Sequence, residues 1–252
     1  MRTPRPTRRH ATESGITLIE LLIAVTLLSL LSVGMLFAMR IGLNSMGKTN
    51  QYIARTRRVL GTDRIINQQL AGFIPVKAIC AVAPGAPAPT VPFFQGELQT
   101  MRFVSSFSLQ EAARGLPRIL EFQVVPGENG QGVRLVVNEH IYTGPLSVGA
   151  FCGGLTPDPE TGTARVIWRP VLVGPGSFVL ADKLAYCRMT YKLETEPEKP
   201  ADIWLPRWPH EATPAAVSID WAPLEPDPSR LQLPALIAPF RVNRSAYTEY
   251  ID

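Results

Sequence analysis

Residues 16–39 are a run of 24 residues in which Glu20 is the one charged side chain, and they follow a leader holding Arg2, Arg5, Arg8 and Arg9 against Glu13 alone. At 1.5 Å rise per residue such a run makes a helix of about 36 Å, enough to cross a hydrocarbon core of about 30 Å with some tilt. The run therefore demands one long helix in an apolar environment. The basic leader places its own side in the cytoplasm, so that everything after Arg40 is exported. A carboxylate at membrane depth costs about 2.5–3.5 kcal/mol even on lenient insertion scales, which makes Glu20 a functional residue with an expected cationic partner at the same depth.

A secretory signal peptide or a plain signal anchor would share the basic start and the apolar stretch. A signal peptide needs a small-residue cleavage site after a shorter apolar region, whereas the stretch around residues 30–40 offers Ser32 and Gly34 without an A-x-A pattern. A plain anchor has no use for Glu20. The leader also accounts for the charge of the chain. Of 25 Lys+Arg and 21 Asp+Glu, residues 1–15 hold four arginines and one glutamate, so the remainder carries 21 against 20. That balance gives no nucleic-acid footprint, and Arg55, Arg57 and Arg58 read as the solvated face of a helix.

Gly15-Ile16-Thr17-Leu18-Ile19-Glu20 resembles the type III signal of type IV pilins and type II secretion pseudopilins. The resemblance implies that a prepilin peptidase cuts after Gly15 and methylates the new amine of Ile16. It also implies that Glu20, the fifth mature residue, meets the amine of a neighbouring subunit. The family usually carries phenylalanine where Ile16 stands.

Helical periodicity continues over residues 40–71 through Met46, Ile53, Leu60, Ile66 and Leu70, with Gly72 and Pro75 as stop signals and Gly34, Gly42, Gly47 and Gly61 as soft points. A helix over 17–71 would be about 83 Å long. Residues 81–92 are rich in proline and alanine and read as a loop. Six strands are predicted beyond it, over 98–105, 118–125, 132–142, 164–173, 185–193 and 215–221, with Gly127 to Gly132 as a hairpin turn. One long helix followed by consecutive strands predicts an α+β fold, with an antiparallel sheet packed on the exported half of the helix. The expected organisation is a leader (1–15), a transmembrane and assembly helix (16–39), the exported half of the helix (40–75), a β-rich periplasmic domain (76–240) and a tail (241–252). The prolines of 197–214 and 223–239 are expected to cap sheet edges and discourage regular structure.

The β-rich part resembles the larger minor pseudopilins, particularly the J-type of type II secretion, through Leu98-Gln99-Thr100-Met101-Arg102-Phe103-Val104-Ser105-Ser106, through residues 180–191, and through Trp204-Leu205-Pro206-Arg207-Trp208-Pro209 ahead of Ala215 to Ile219. This implies a pilin-like fold and an inner-membrane, single-pass subunit near the tip of a periplasmic pseudopilus, priming assembly for protein export. Its implied partners are I-type and K-type subunits, the major pseudopilin, the prepilin peptidase, the inner-membrane assembly platform and membrane lipid. The K-type usually lacks the fifth-position acid, and length disfavours the G- and I-types. The alternatives are a minor pilin of a type IV pilus, or a membrane-anchored periplasmic binding module that would use Trp204 and Trp208 as its contact surface.

No enzymatic constellation is legible. His140 falls within a predicted strand and His210 in a proline-rich loop, neither with a spaced ligand or nucleophile. The glycines of 127–132 lack the helix and lysine of a phosphate cradle, and no C-x-x-C spacing suggests a metal, so neither cofactor nor metal is expected. Asn243-Arg244-Ser245 matches a glycosylation sequon, a motif that is common by chance. Cys80, Cys152 and Cys187 all lie in the exported part, where an oxidising compartment permits a disulfide. Three pairings are open, buried free thiols being the competing reading. Cys152–Cys187 is the expected bond, since it would tie the Gly/Pro-rich loop 144–162 to the strand at Ala185.

Overall fold

The computed structural model describes residues 16–80, 88–158, 162, 164–194, 202–225 and 235–241, with side chains omitted over 44–60 and at residue 164. Gly15, residues 81–87, the sequon and the tail from 242 lie outside the described residues. The chain divides into two compact units, Met1–Arg55 and Thr56–Asp252.

Helix α1 runs over Leu18–Ala71, within one residue of its expected start, and is helical at all four glycines. It ends where the sequence stops it. The amide of Gly72 still donates to Gln68 O (3.1 Å), and its carbonyl accepts from Ser106 N (2.7 Å), turning the chain from helix into sheet. The strands that follow are β1 (Phe73–Ile74), β2 (Lys77–Ile79), β3 (Thr90–Pro92), β4 (Gln95–Gly96), β5 (Thr100–Ser108), β6 (Ala113–Pro126), β7 (Val133–Ile141), β8 (Cys152–Pro157), β9 (Ala164–Trp168), β10 (Phe178–Lys192), β11 (Trp204–Leu205), β12 (Ala216–Pro223) and β13 (Leu236–Pro239). A short helix α2 (Pro145–Gly149) lies between β7 and β8.

Among the described residues, nine strands form one antiparallel sheet in the order β1-β5-β6-β7-β10-β12-β13, with β4 beside β5 and β11 beside β10. The α+β expectation holds. All six predicted strands exist, β6 and β10 being longer than predicted and β9 shorter. The turn between β6 and β7 works as a hairpin because Asn129 and Gly130 accept positive φ (58° and 72°), conformations open to few residue types.

Three expectations need correction. The Gly/Pro-rich loop 144–162 contains α2 and β8, held by packing that local composition does not encode. The proline-rich 223–239 stretch ends in strand β13, which pairs with β12 at the sheet edge, where a proline's missing N–H is tolerated. The Ala/Pro loop 81–92 closes with β3, which pairs with β2.

Strand alternation sends side chains to two faces. On one, Met101, Phe103, Leu120, Phe122, Leu135 and Val137 join Ile66 and Leu70 of α1 in the main core. Thr62 donates to Leu180 O (2.6 Å), and Ser105 donates to Gln69 O (2.9 Å), so polar contacts fix the helix at both ends of this seat. On the opposite face, Val104 and Ile119 join Ala78, Cys80, Phe93, Val148 and Cys152 in a second cluster. This second layer, an overlay made of the β2–β3 hairpin, α2 and the β8–β9 hairpin, forms no ladder with the sheet among the described residues.

Candidate functional site

Leu18–Leu43 is a 26-residue helical stretch, none of it buried, and is long and apolar enough to span a membrane. Leucines, isoleucines and valines are exposed around its whole circumference, from Leu18 at 82% to Leu43 at 61%. A helix apolar on every side is one that meets lipid or other apolar helices instead of water. Its hydroxyls agree with that environment. Thr26 donates to Ile23 O (2.9 Å), Ser29 to Val25 O (2.8 Å) and Ser32 to Leu28 O (2.8 Å), so each polar hydrogen is satisfied within the helix.

Glu20 sits in the first turn of α1, exposed, with its amide donating to Thr17 O (3.0 Å). A carboxylate there faces the positive end of the helix dipole. Ile16 is exposed just ahead of the helix, while Gly15 is not among the described residues.

The cysteine expectation is overturned. Cys80 bonds Cys152, with Cα atoms 5.6 Å apart, and Cys187 is free and buried. The reason is the sheet itself: Cys187 points from β10 into the helix-side core, and Cys80 and Cys152 belong to the overlay cluster on the other face. Burial, and then the charge of Asp220, push the Cys187 thiol up to about 12, which keeps it protonated and unreactive.

Beneath the overlay lies a charged network that sequence reading missed. Arg102, wholly buried on β5, donates from Nε to Glu121 Oε1 (2.7 Å), from Nη1 to Gln95 Oε1 (2.7 Å) and from Nη2 to Arg169 O (2.6 Å). The other carboxylate oxygen of Glu121 faces His140 Nε2 (2.9 Å) and Asn138 Nδ2 (3.3 Å). Asn138 in turn donates to Leu172 O (3.0 Å) and accepts from Ser177 (2.6 Å). Each guanidinium nitrogen donates one hydrogen bond, so the network holds the chain over 169–177 against the sheet. The signal that could have found it is the cross-strand placing of opposite charges inside two apolar runs, Met101-Arg102-Phe103 against Leu120-Glu121-Phe122.

The tryptophan segment packs. Trp208 is buried in the main core, its indole donating to Ala212 O (2.7 Å) and its amide to Gly96 O (2.8 Å). Trp204 is half-buried, donating to Asp202 (3.1 Å) beneath Lys192, whose hydrogen bond holds the Asp202 carboxyl below its ordinary range. His210 stacks edge-on to Trp208 in an exposed loop. Among the described residues no group of three His, Cys, Asp or Glu side chains could hold a metal ion. No protein-family model, curated protein or solved structure matches the chain.

Proposed function

We propose that this chain is a minor pseudopilin of the J-type, a structural subunit near the tip of a type II secretion pseudopilus. The observation that carries the reading is the single acid, Glu20, in the first turn of a helix that is otherwise apolar on every side, behind Gly15 and a basic leader. Its work is assembly, not turnover. Removal of residues 1–15 frees the amine of Ile16, four residues ahead of Glu20. When a subunit leaves the bilayer, its Glu20 pairs with the Ile16 amine of a neighbour, and a paired carboxylate in a low-dielectric core is far less costly than a lone one. Apolar side chains such as Leu21, Leu22, Val25, Leu28 and Leu30 pack at many axial offsets, whereas one ion pair selects a single offset. The β-rich unit Thr56–Asp252 then lies in the periplasm, where it meets the I-type, K-type and major subunits.

The decisive measurement is the mature N-terminus by mass spectrometry, with and without the prepilin peptidase. Loss of residues 1–15 with a methyl group on Ile16, dependent on that enzyme, is the expected result. An intact Met1, or a cut beyond Ser32, overturns the reading in favour of a membrane-anchored binding module. A second test is Glu20→Leu, expected to insert in the membrane normally yet to enter pseudopili poorly; unchanged incorporation removes the role given to Glu20.

A further inference from the structure

Residues 169–177 join β9 to β10 on the overlay side of the sheet, and their backbone is held from within. Arg102 Nη2 donates to Arg169 O (2.6 Å), Arg169 N donates to Phe151 O (2.9 Å), and Asn138 Nδ2 donates to Leu172 O (3.0 Å). Ser177 closes the turn. Its amide donates to Gly174 O (3.0 Å), while its hydroxyl accepts from Gly174 N (3.0 Å) and donates to Asn138 Oδ1 (2.6 Å). Pro170 and Pro175 fix two further φ angles. Arg102 and Asn138, the anchors on the sheet, are themselves buried. The loop is thus ordered before it meets any partner.

What this order exposes is apolar. Leu172 is 84% exposed, more than Leu18 at 82% in the membrane-length stretch of α1, and Val173 beside it is 43% exposed. Alternation along β9 carries the surface on: Val166 and Trp168 pack against the overlay cluster, while Arg165, Ile167 and the following Arg169 are exposed. Residues 161–181 hold those two arginines and no acid. Apolar side chains held in place, turned to solvent and accompanied by charge of one sign mark an interaction surface.

We infer that Leu172 and Val173 form a preset knob with which the β-rich unit docks a protein partner, one whose surface offers an apolar pocket rimmed by carboxylates. The inference goes beyond the assembly role of Glu20 and stands without it, because every residue it uses lies in the unit Thr56–Asp252. Two arguments fix the occupant. A bilayer takes up apolar side chains from a loose loop as readily as from an ordered one, whereas a shaped pocket binds more tightly when the knob has already lost its freedom. Cations with no acid in the same stretch are matched by negative charge on the other side, and both are arginines, the cation enriched at protein interfaces where lysine is depleted. A second copy docking by the same face would bring arginine against arginine, which disfavours self-association through this patch.

The test is photo-crosslinking of the full chain in intact cells, with p-benzoylphenylalanine placed at Leu172 and, as a control, at Leu146, which is 72% exposed on α2. The expected result is one protein adduct at Leu172, at least about fivefold stronger than at Leu146, with the cross-link mapped by mass spectrometry to apolar residues that have Asp or Glu within a few positions. Arg165→Glu, at an exposed residue outside the loop, tests charge without disturbing the loop's hydrogen bonds and is expected to lower the yield by about fivefold or more. Asn138→Ala frees the loop and is expected to lower it by about threefold or more. Should that variant fold poorly, Ser177→Ala makes the same test from the loop side. An adduct to lipid, an adduct to a second copy of the chain, a mapped peptide without acids, or no adduct above the control each overturns the inference. So does a yield unmoved by Arg165→Glu, and one unmoved by release of the loop overturns the preset geometry.

Discussion

On the helix side of the sheet, Ile66 and Leu70 close over Phe103, Phe122 and Met189 in a core whose attraction is apolar burial. On the overlay side a smaller apolar cluster shares its space with Arg102, Glu121 and a disulfide. The difference follows from what each face must hold. A helix brings its own satisfied backbone and needs only a complementary stripe. The overlay brings loop carbonyls, among them Arg169 O and Leu172 O, which need donors when they are covered; buried side chains of β5 and β7 supply them. One face is held by area, and the other by a few specific bonds.

The contrast can be tested from its strongest side downward. Arg102→Ala leaves Glu121 buried beside His140 without its main partner, and is expected to cost about 3–5 kcal/mol in urea unfolding of the detergent-solubilised protein. Arg102→Met combined with Glu121→Leu removes both charges and is expected to recover much of that loss; a double variant no better than the single one would break the account of the overlay face. Leu70→Ala, on the helix side, is expected to cost about 2–5 kcal/mol through lost burial and the cavity left behind, with no second substitution of a polar residue able to restore it.

A third expectation concerns pH and belongs to the helix side. The folded state holds the Cys187 thiol protonated up to about 12, whereas the unfolded thiol ionises from its ordinary value near 9. The unfolded chain thus binds fewer protons across that window, and stability falls as pH rises through it. Cys187→Ala should remove that part of the slope, measured as the difference between variant and wild-type unfolding curves from pH 9 to 12. The smallest effect is at the surface. Asp202 has its carboxyl lowered first by the Lys192 hydrogen bond, so any contribution is present above the ordinary carboxylate range and fades in acid as the folded carboxyl takes up its proton. Because the group is fully exposed, Asp202→Asn is expected to leave the midpoint unchanged at neutral pH. A measurable loss there would show the Trp204 segment to be held more tightly than its exposure suggests.

Much of the fold was legible because its signals are local. The apolar run, Gly72 and Pro75 bounded α1 almost to the residue, and alternation with turn residues located six of the seven described strands of five or more residues, β8 being hidden in a glycine- and proline-rich stretch. The short strands β1 to β4, β11 and β13, of two to four residues each, have no room to display a period of two. Strand β10 was seen only in its second half, because its first half is bulged where it pairs with β7 and passes through Lys183 at a φ of 55°. Ile16 and Glu20 were read from a contiguous motif, and the structure places Glu20 in the first turn of an apolar helix. The cysteines failed for a different reason: pairing depends on which face of a sheet each side chain occupies.

The sequence by itself determined one long helix with an apolar first half and a lone acid, a sheet-rich sequel, and three thiols available for one bond. These are one-dimensional properties, set by hydrophobic period, chain-stopping residues and charge. Only the tertiary structure decided that the sheet is covered on both faces, that Arg102 and Glu121 meet in the interior, and that Cys80 takes Cys152 while Cys187 is sealed away. Each of those outcomes joins residues distant in sequence, and the sheet selects them by dividing space into two sides that side chains cannot cross.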